Sequence, residues 1–159
     1  METSPSESAA KFSHVDEHGK LRMVDVSEKE VTIRDAKAAG KITLNADALR
    51  LIESNQIAKG NVLATARLAG IQAAKQTSAL IPLCHQLQLQ HVDVELVQIA
   101  GGLEITVTVR TIGRTGAEME ALTAVSVAAL TVYDMCKAVD KAMVIGEVRL
   151  VSKTKKSAD

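Results

Sequence analysis

Apolar positions along the chain switch between the two spacings that strands and helices impose. Val31 and Ile33 alternate with Thr32 and Arg34, and Ile42 and Leu44 resume after Gly40, which predicts an extended first segment with a break at the glycine. Asn45 then offers an N-cap, with Asp47 in the first turn and Leu49 and Ile52 one turn apart, so a short helix is expected over about 46–55. Gly60 and Asn61 mark a second start. Val62, Ala66, Ala69 and Ala73 repeat at helical spacing toward Ile81, and Pro82 stops the helix. Val92, Val94 and Leu96 alternate with His91, Asp93 and Glu95. After Gly101 and Gly102, Leu103, Ile105, Val107 and Val109 alternate with Glu104, Thr106, Thr108 and Arg110, a hairpin with one buried and one wetter face. From Glu118 to about Ala138 runs the longest helix, and Val144, Val148 and Leu150 share one side of a last strand.

The order β-α-α-β-β-α-β predicts an α+β fold: a ferredoxin-like sandwich, an antiparallel sheet with helices packed on one face, plus an extra helix. At 159 residues one domain is expected, over 14–151. Residues 1–13, rich in Ser and Glu, and 152–159, with three Lys and no large apolar side chain, are expected to be disordered tails. One helix does not suit a monomer. Residues 121–133, ALTAVSVAALTVY, carry no charge on any face, and their small side chains permit close approach, which predicts a subunit interface there, with deep burial within one subunit as the alternative. The stretch is short of the roughly 20 residues a membrane span needs. With no apolar leader and two cysteines lacking metal or CxxC spacing, a cytoplasmic protein is expected.

Composition narrows the partners. The chain has 19 basic and 19 acidic residues, one Phe, one Tyr and no Trp. Base stacking on aromatics is nearly excluded, and zero net charge argues against a general nucleic-acid binder. Any anionic ligand must meet a few placed cations.

Three places carry candidate chemistry. Asp134 and Lys137 lie three apart on the long helix, with Lys141 a turn further if the helix lasts. Such a pair is commonly a surface salt bridge, but following a buried stretch it is expected to face a cavity or interface, where burial shifts a Lys toward neutral pH. Cys84 and His85 sit in a loop after a Pro-ended helix. They are not a zinc site, and His85 is either a satisfied structural residue or a ligand group. The segment GRTGAEME brings Arg114, two glycines, Glu118 and Glu120 to a helix start, suited either to capping or to accepting hydrogen bonds from a guanine-like or pterin-like edge. Lys59-Gly60 before a helix is a candidate phosphate contact. No P-loop, dinucleotide, zinc-protease or nucleophile-elbow motif is present.

Taken together the segments MVDVS (23–27), KGNVLATARLAGIQAAK (59–75), IPLCH (81–85), TGAEMEALTAVSVAALTVYDMCKAVDK (115–141) and MVIGEVRL (143–150) resemble the cyclic pyranopterin monophosphate synthase family of molybdenum cofactor biosynthesis. One departure is Gln86, where the family commonly has Pro. The resemblance implies a lyase that converts a cyclised dihydroguanosine triphosphate into cyclic pyranopterin monophosphate, releasing pyrophosphate. It implies Asp134 as the acid-base residue with Lys137 and Lys59 beside it, and substrate contacts from Leu83, Cys84, His85, Met119 and Glu120, with Glu118 and Arg34 near the site. It further implies no metal or organic cofactor, and a homohexamer built as a trimer of dimers with sites at the dimer interface. Scarce aromatics then imply a ring held by polar edge contacts and by Met119 and Leu83. The competing reading is a non-catalytic metabolite-binding module on the same scaffold. An RNA-binding sandwich would want aromatics where Thr106, Thr108 and Arg110 stand.

Overall fold

The structure, a computed structural model, describes residues 14–16 and 18–158, so the N-terminal tail expected over 1–13 lies outside the described residues. The elements follow as β1 (Thr32–Thr43), α1 (Ala46–Glu53), α2 (Val62–Lys75), α3 (Thr77–Leu80), β2 (Leu89–Ile99), β3 (Gly102–Gly113), α4 (Glu118–Cys136) and β4 (Ile145–Ser157). All four strands pair antiparallel in the order β2-β3-β1-β4. That is the ferredoxin-like arrangement, with the α1–α3 crossover joining β1 to β2 and leaving room for β3 between them.

The hairpin follows its hydrophobic alternation: Val94 and Leu96 on β2, and Leu103, Ile105, Val107 and Val109 on β3, are buried. Strand β1 departs from expectation twice. The strand is continuous through Gly40, where the expected break is confined to a register shift in the pairing with β4 between Ala39 and Lys41. Its core face also carries the even positions Ala36, Ala38, Gly40 and Ile42, whereas Val31 is 48% exposed. The apolar bulk at Val31 and Ile33 marked the wrong face because the helix side of β1 must stay thin. A Cβ on Gly40 would stand 2.7 Å from Val125 Cγ1 of α4 and 3.1 Å from Val148 Cγ2 of β4. The other helix contact is equally close: a Cβ on Gly70 of α2 would lie 3.2 Å from the Ala124 carbonyl of α4. The small residues of α4 thus serve its approach to both neighbours, and Ala121, Ala124, Val125, Ala128, Ala129 and Val132 are all buried.

Two asparagines start helices as their positions predict: Asn45 Oδ1 accepts from the Ala48 N–H at 2.8 Å and Asn61 Oδ1 from the Ala64 N–H at 2.8 Å. Asp140, buried just beyond α4, accepts from the Asn45 N–H at 2.7 Å and the Ala142 N–H at 2.9 Å, locking the end of α4 to the start of α1.

The C-terminal boundary needs correction. Residues 152–157 are not a disordered tail but the second half of β4, paired with β1 from Lys37↔Ser152 to Thr32↔Ser157. Backbone pairing orders this stretch, although its side chains are exposed and its composition resembles a solvated tail. α4 stops at Cys136, so Lys141 lies in the following loop and does not extend the Asp134–Lys137 stripe.

Candidate active site

A cavity of about 360 Å³ opens at the N-terminal end of α4. Leu83, Cys84, His85, Glu118, Met119 and Glu120 all line it, so the loop after α3 and the first turn of α4 converge on one cavity. Pro82 and the one-turn α3 end the crossover there, and the chain passes through residues 83–88 before it enters β2. Met119 stands 36% exposed while Glu120 is only 4% exposed. Burial, reinforced by the nearby Glu118 charge, pushes the Glu120 carboxyl up to about 7. A buried carboxyl that exchanges its proton near neutrality can accept a hydrogen bond from an N–H edge or pass a proton. The Cys84 thiol is pushed up by burial and then by Glu120, which disfavours the reactive thiolate.

His85 takes the structural option without leaving the cavity. Its Nε2 lies 2.7 Å from the Val24 carbonyl, which fixes the Nε2–H tautomer and ties the N-terminal segment to the cavity wall. That segment, with Val24, Val26 and Lys29 lining the cavity, has no counterpart among the candidate residues. Its signal was the alternation within MVDVS. No role follows from that alternation alone.

A second cavity of about 280 Å³ adjoins the first at Gly116 and Glu118 and holds Arg34, Lys153 and Lys155. Lys153 Nζ is 3.4 Å from Glu118 Oε1. Arg34 donates from Nη2 to the Arg114 carbonyl at 3.2 Å and from Nε to the Gly113 carbonyl at 3.4 Å. Lys153 was missed because the expected tail boundary left it outside the fold. Ala117, the N-cap position of α4, makes no side-chain cap, and the Glu120 carboxyl is hydrogen-bonded to its own backbone in the first turn. The Glu118 carboxylate instead folds back on Gly116, where a Cβ would collide with it.

The third cluster sits at the other end of α4. Asp134 Oδ2 is 2.6 Å from Lys59 Nζ, and Asp134 Oδ1 is 2.7 Å from Lys137 Nζ. Lys59, in the loop before α2, also donates to the Asp134 carbonyl at 2.9 Å, satisfying a helix C-terminal acceptor. All three side chains are about half exposed, so the expectation of a buried pair with a Lys shifted toward neutral is corrected for the single chain. The hydrogen bonds from Lys137 and Lys59 hold the Asp134 carboxyl down at about 2, and Asp134 pushes Lys137 above its ordinary value. Mutual pairing favours the charged form of both partners, the reverse of what burial does.

Sixteen residues of α4 separate Glu118 from Asp134, about 24 Å along the axis. Within one chain the binding-type residues and the Lys-Asp-Lys cluster are therefore not brought together. Met119 and the cluster do share a side of the helix. Met119, Thr123, Ser126, Leu130, Asp134 and Lys137 recur at spacings of three and four, so one stripe connects the two ends. Leu130 on this stripe is 56% exposed. The Ser126 and Thr131 hydroxyls are spent on the Leu122 and Val127 carbonyls at 2.9 and 2.8 Å, leaving a charge-free surface between the two charged ends. α4 is also long and apolar enough to cross a membrane by composition, but half of it is buried in this fold.

The chain is similar to cyclic pyranopterin monophosphate synthases from several bacteria. The identity is 58% over 145 residues to that of Heliobacterium modesticaldum, covering 90% of this chain and 91% of the relative. It is 53% over 150 residues to that of Chloroflexus aurantiacus, covering 93% and 92%. To that of Parvibaculum lavamentivorans it is 55% over 148 residues, covering 92% of each. The model of the MoaC family matches residues 23–156, from the segment that bounds the first cavity to the next-to-last residue of β4. With both ends of α4, the 83–85 loop and Lys59 all inside that span, the chain belongs to the MoaC family.

Proposed function

We propose that this chain is a cyclic pyranopterin monophosphate synthase, a lyase of molybdenum cofactor biosynthesis. It converts cyclised 7,8-dihydroguanosine triphosphate to cyclic pyranopterin monophosphate and releases pyrophosphate. The observation that carries this reading is the meeting of Lys59 and Lys137 on Asp134 at 2.6 and 2.7 Å. Three residues to which the resemblance gives catalysis, two of them 75 positions apart, form one cluster.

The roles follow from the environments. Glu120, titrating near 7, accepts from the N–H edge of the purine and exchanges a proton as that ring is opened and rebuilt. Arg34 and Lys153, beside Glu118, place positive charge next to the ring cavity for the phosphates. The Lys-Asp-Lys cluster carries a net positive charge, suited to proton transfer at the ring and to the developing anion as pyrophosphate leaves.

A site that uses both ends of α4 needs a second copy of the chain. Laid antiparallel on the charge-free stripe, α4 of a partner subunit brings its Asp134 end to this chain's Glu120 end, and its own Glu120 end receives this chain's Asp134. A two-fold interface yields two equivalent sites, and a trimer of such dimers is the hexameric form we propose. Covering the stripe also desolvates the cluster, which raises Asp134 and opposes the upward push on Lys137. A cytoplasmic location belongs to the same proposal, supported by two free cysteines among the described residues.

The test is to incubate purified protein with the cyclised triphosphate and follow pyrophosphate and a fluorescent oxidised pterin. Turnover of both supports the synthase. Ligand binding without pyrophosphate release from an assembled sample points instead to a metabolite-binding module.

A further inference from the structure

We infer that Arg114 is a positioning residue that pins residues 24–29 as the closing wall of the cavity at the N-terminal end of α4, an inference that rests on that cavity being the purine subsite. Residues 22–30 belong to no helix or strand. Val24 and Val26 are half-buried and line the cavity, while Met23, Asp25 and Ser27 between and around them are exposed, so the strap presents one thin apolar face inward. It has no ladder to hold it there. A segment without secondary structure keeps one position only if the body of the fold supplies its hydrogen bonds.

Two side chains do so, one near each end of the strap. His85 Nε2–H holds the Val24 carbonyl at 2.7 Å, and Arg114 Nε–H holds the Lys29 carbonyl at 3.0 Å, across 85 residues of sequence. Arg114 is not among the cavity-lining residues, and its side chain is exposed, so it acts on the cavity through the strap. It is itself fixed, because its carbonyl accepts from Arg34 Nη2 at 3.2 Å. β1, the loop before α4 and the strap are thus clasped through one residue. Glu120 is held on α4, and Asp134, Lys137 and Lys59 on α4, its C-cap and the loop before α2, so none of these groups is carried by the strap. Loosening the strap therefore weakens substrate binding while leaving the chemical groups in place.

The experiment uses the full chain and compares Arg114→Ala and Arg114→Lys with wild type in two measurements. Hydrogen exchange of amides 23–31, recorded without substrate, is expected to quicken about tenfold or more in Arg114→Ala and to return most of the way in Arg114→Lys, with β2 and β3 unchanged. With the cyclised triphosphate, KM is expected to rise about tenfold in Arg114→Ala with kcat within about twofold, and Arg114→Lys to recover most of the loss. Unchanged exchange in the strap overturns the inference. So does faster exchange with an unchanged KM, or a fall in kcat at constant KM. If Arg114→Ala does not fold, Arg114→Gln replaces it under the same criteria. A wild-type protein that releases no pyrophosphate sinks the functional reading, while the substrate-free exchange comparison still decides whether Arg114 pins the strap.

Discussion

The two ends of α4 each carry a carboxylate in a place where chemistry is expected, and their surroundings drive them in opposite directions. Glu120 is buried, with no cation paired to it among the described residues, and its carboxyl sits near 7. Asp134 is exposed between two ammonium groups and sits near 2. Burial and pairing are the two main causes of a carboxyl shift, and here they act separately on one helix. In the isolated chain the end equipped for proton exchange at neutral pH is the cavity end, and the Lys-Asp-Lys end is an ion cluster. A second subunit over the stripe between them is what would give the cluster the desolvation it lacks.

The contrast can be broken most forcefully at Asp134. Asp134→Ala and Lys59→Ala should each lower turnover by about a thousandfold or more, the scale of losing a principal catalytic group. Their thermal midpoints should stay close to wild type, because exposed ion pairs contribute little to stability. Pyrophosphate release alongside a melting curve checks both halves.

Glu120→Gln sharpens the other end. Because the native carboxyl lies above its ordinary value of 4.5, the folded state binds more protons than the unfolded chain between that value and about 7. Wild-type stability should therefore decline as pH rises from about 4.5 to about 7 and level off above. The Gln variant should lose that decline and be about 1–3 kcal/mol more stable than wild type at pH 8. Its activity profile should also lose the ionisation near 7. Denaturant melts across pH measure the first effect and rate profiles the second.

Gly40→Ala tests what separates the two ends. Its new Cβ would press Val125 at 2.7 Å and lift the middle of α4 from β1, at a cost of about 2 kcal/mol in a denaturant melt. Both ends should remain chemically intact. The smallest effect is acid titration of Asp134. The negative charge it sets against Lys59 and Lys137 persists below its ordinary value of 3.8 and is lost only as pH falls toward about 2, so carboxyl chemical shifts of Asp134 should hold constant down to about pH 3.

Much of the fold was legible because period-2 and helical spacing were strong in the hairpin, α2 and α4. The parity of β1 was not, since its buried face is defined by Ala and Gly that make room for α4, and apolar bulk cannot report that. Lys153 was hidden in a strand whose order comes from backbone pairing with β1, which leaves no hydrophobic trace. At the site, Cys84, His85, Glu118, Met119 and Glu120 were legible as loops and helix starts flanking apolar runs. The distance between Glu118 and Asp134 was implicit in their numbering, but only the exposed stripe shows that both ends look out from the same side.

The central claim is that one working site draws its cavity from one chain and its Lys-Asp-Lys cluster from another. It is tested most directly by subunit exchange between two variants with damage at opposite ends of α4, Asp134→Ala and Glu120→Gln, each measured alone and after co-refolding. With substrate turnover as the readout, above the residual rate of either variant alone, recovery toward about a quarter of wild-type activity is expected, because mixed dimers hold one undamaged site of two. No recovery, in samples where mixed dimers are shown to form, would contradict it.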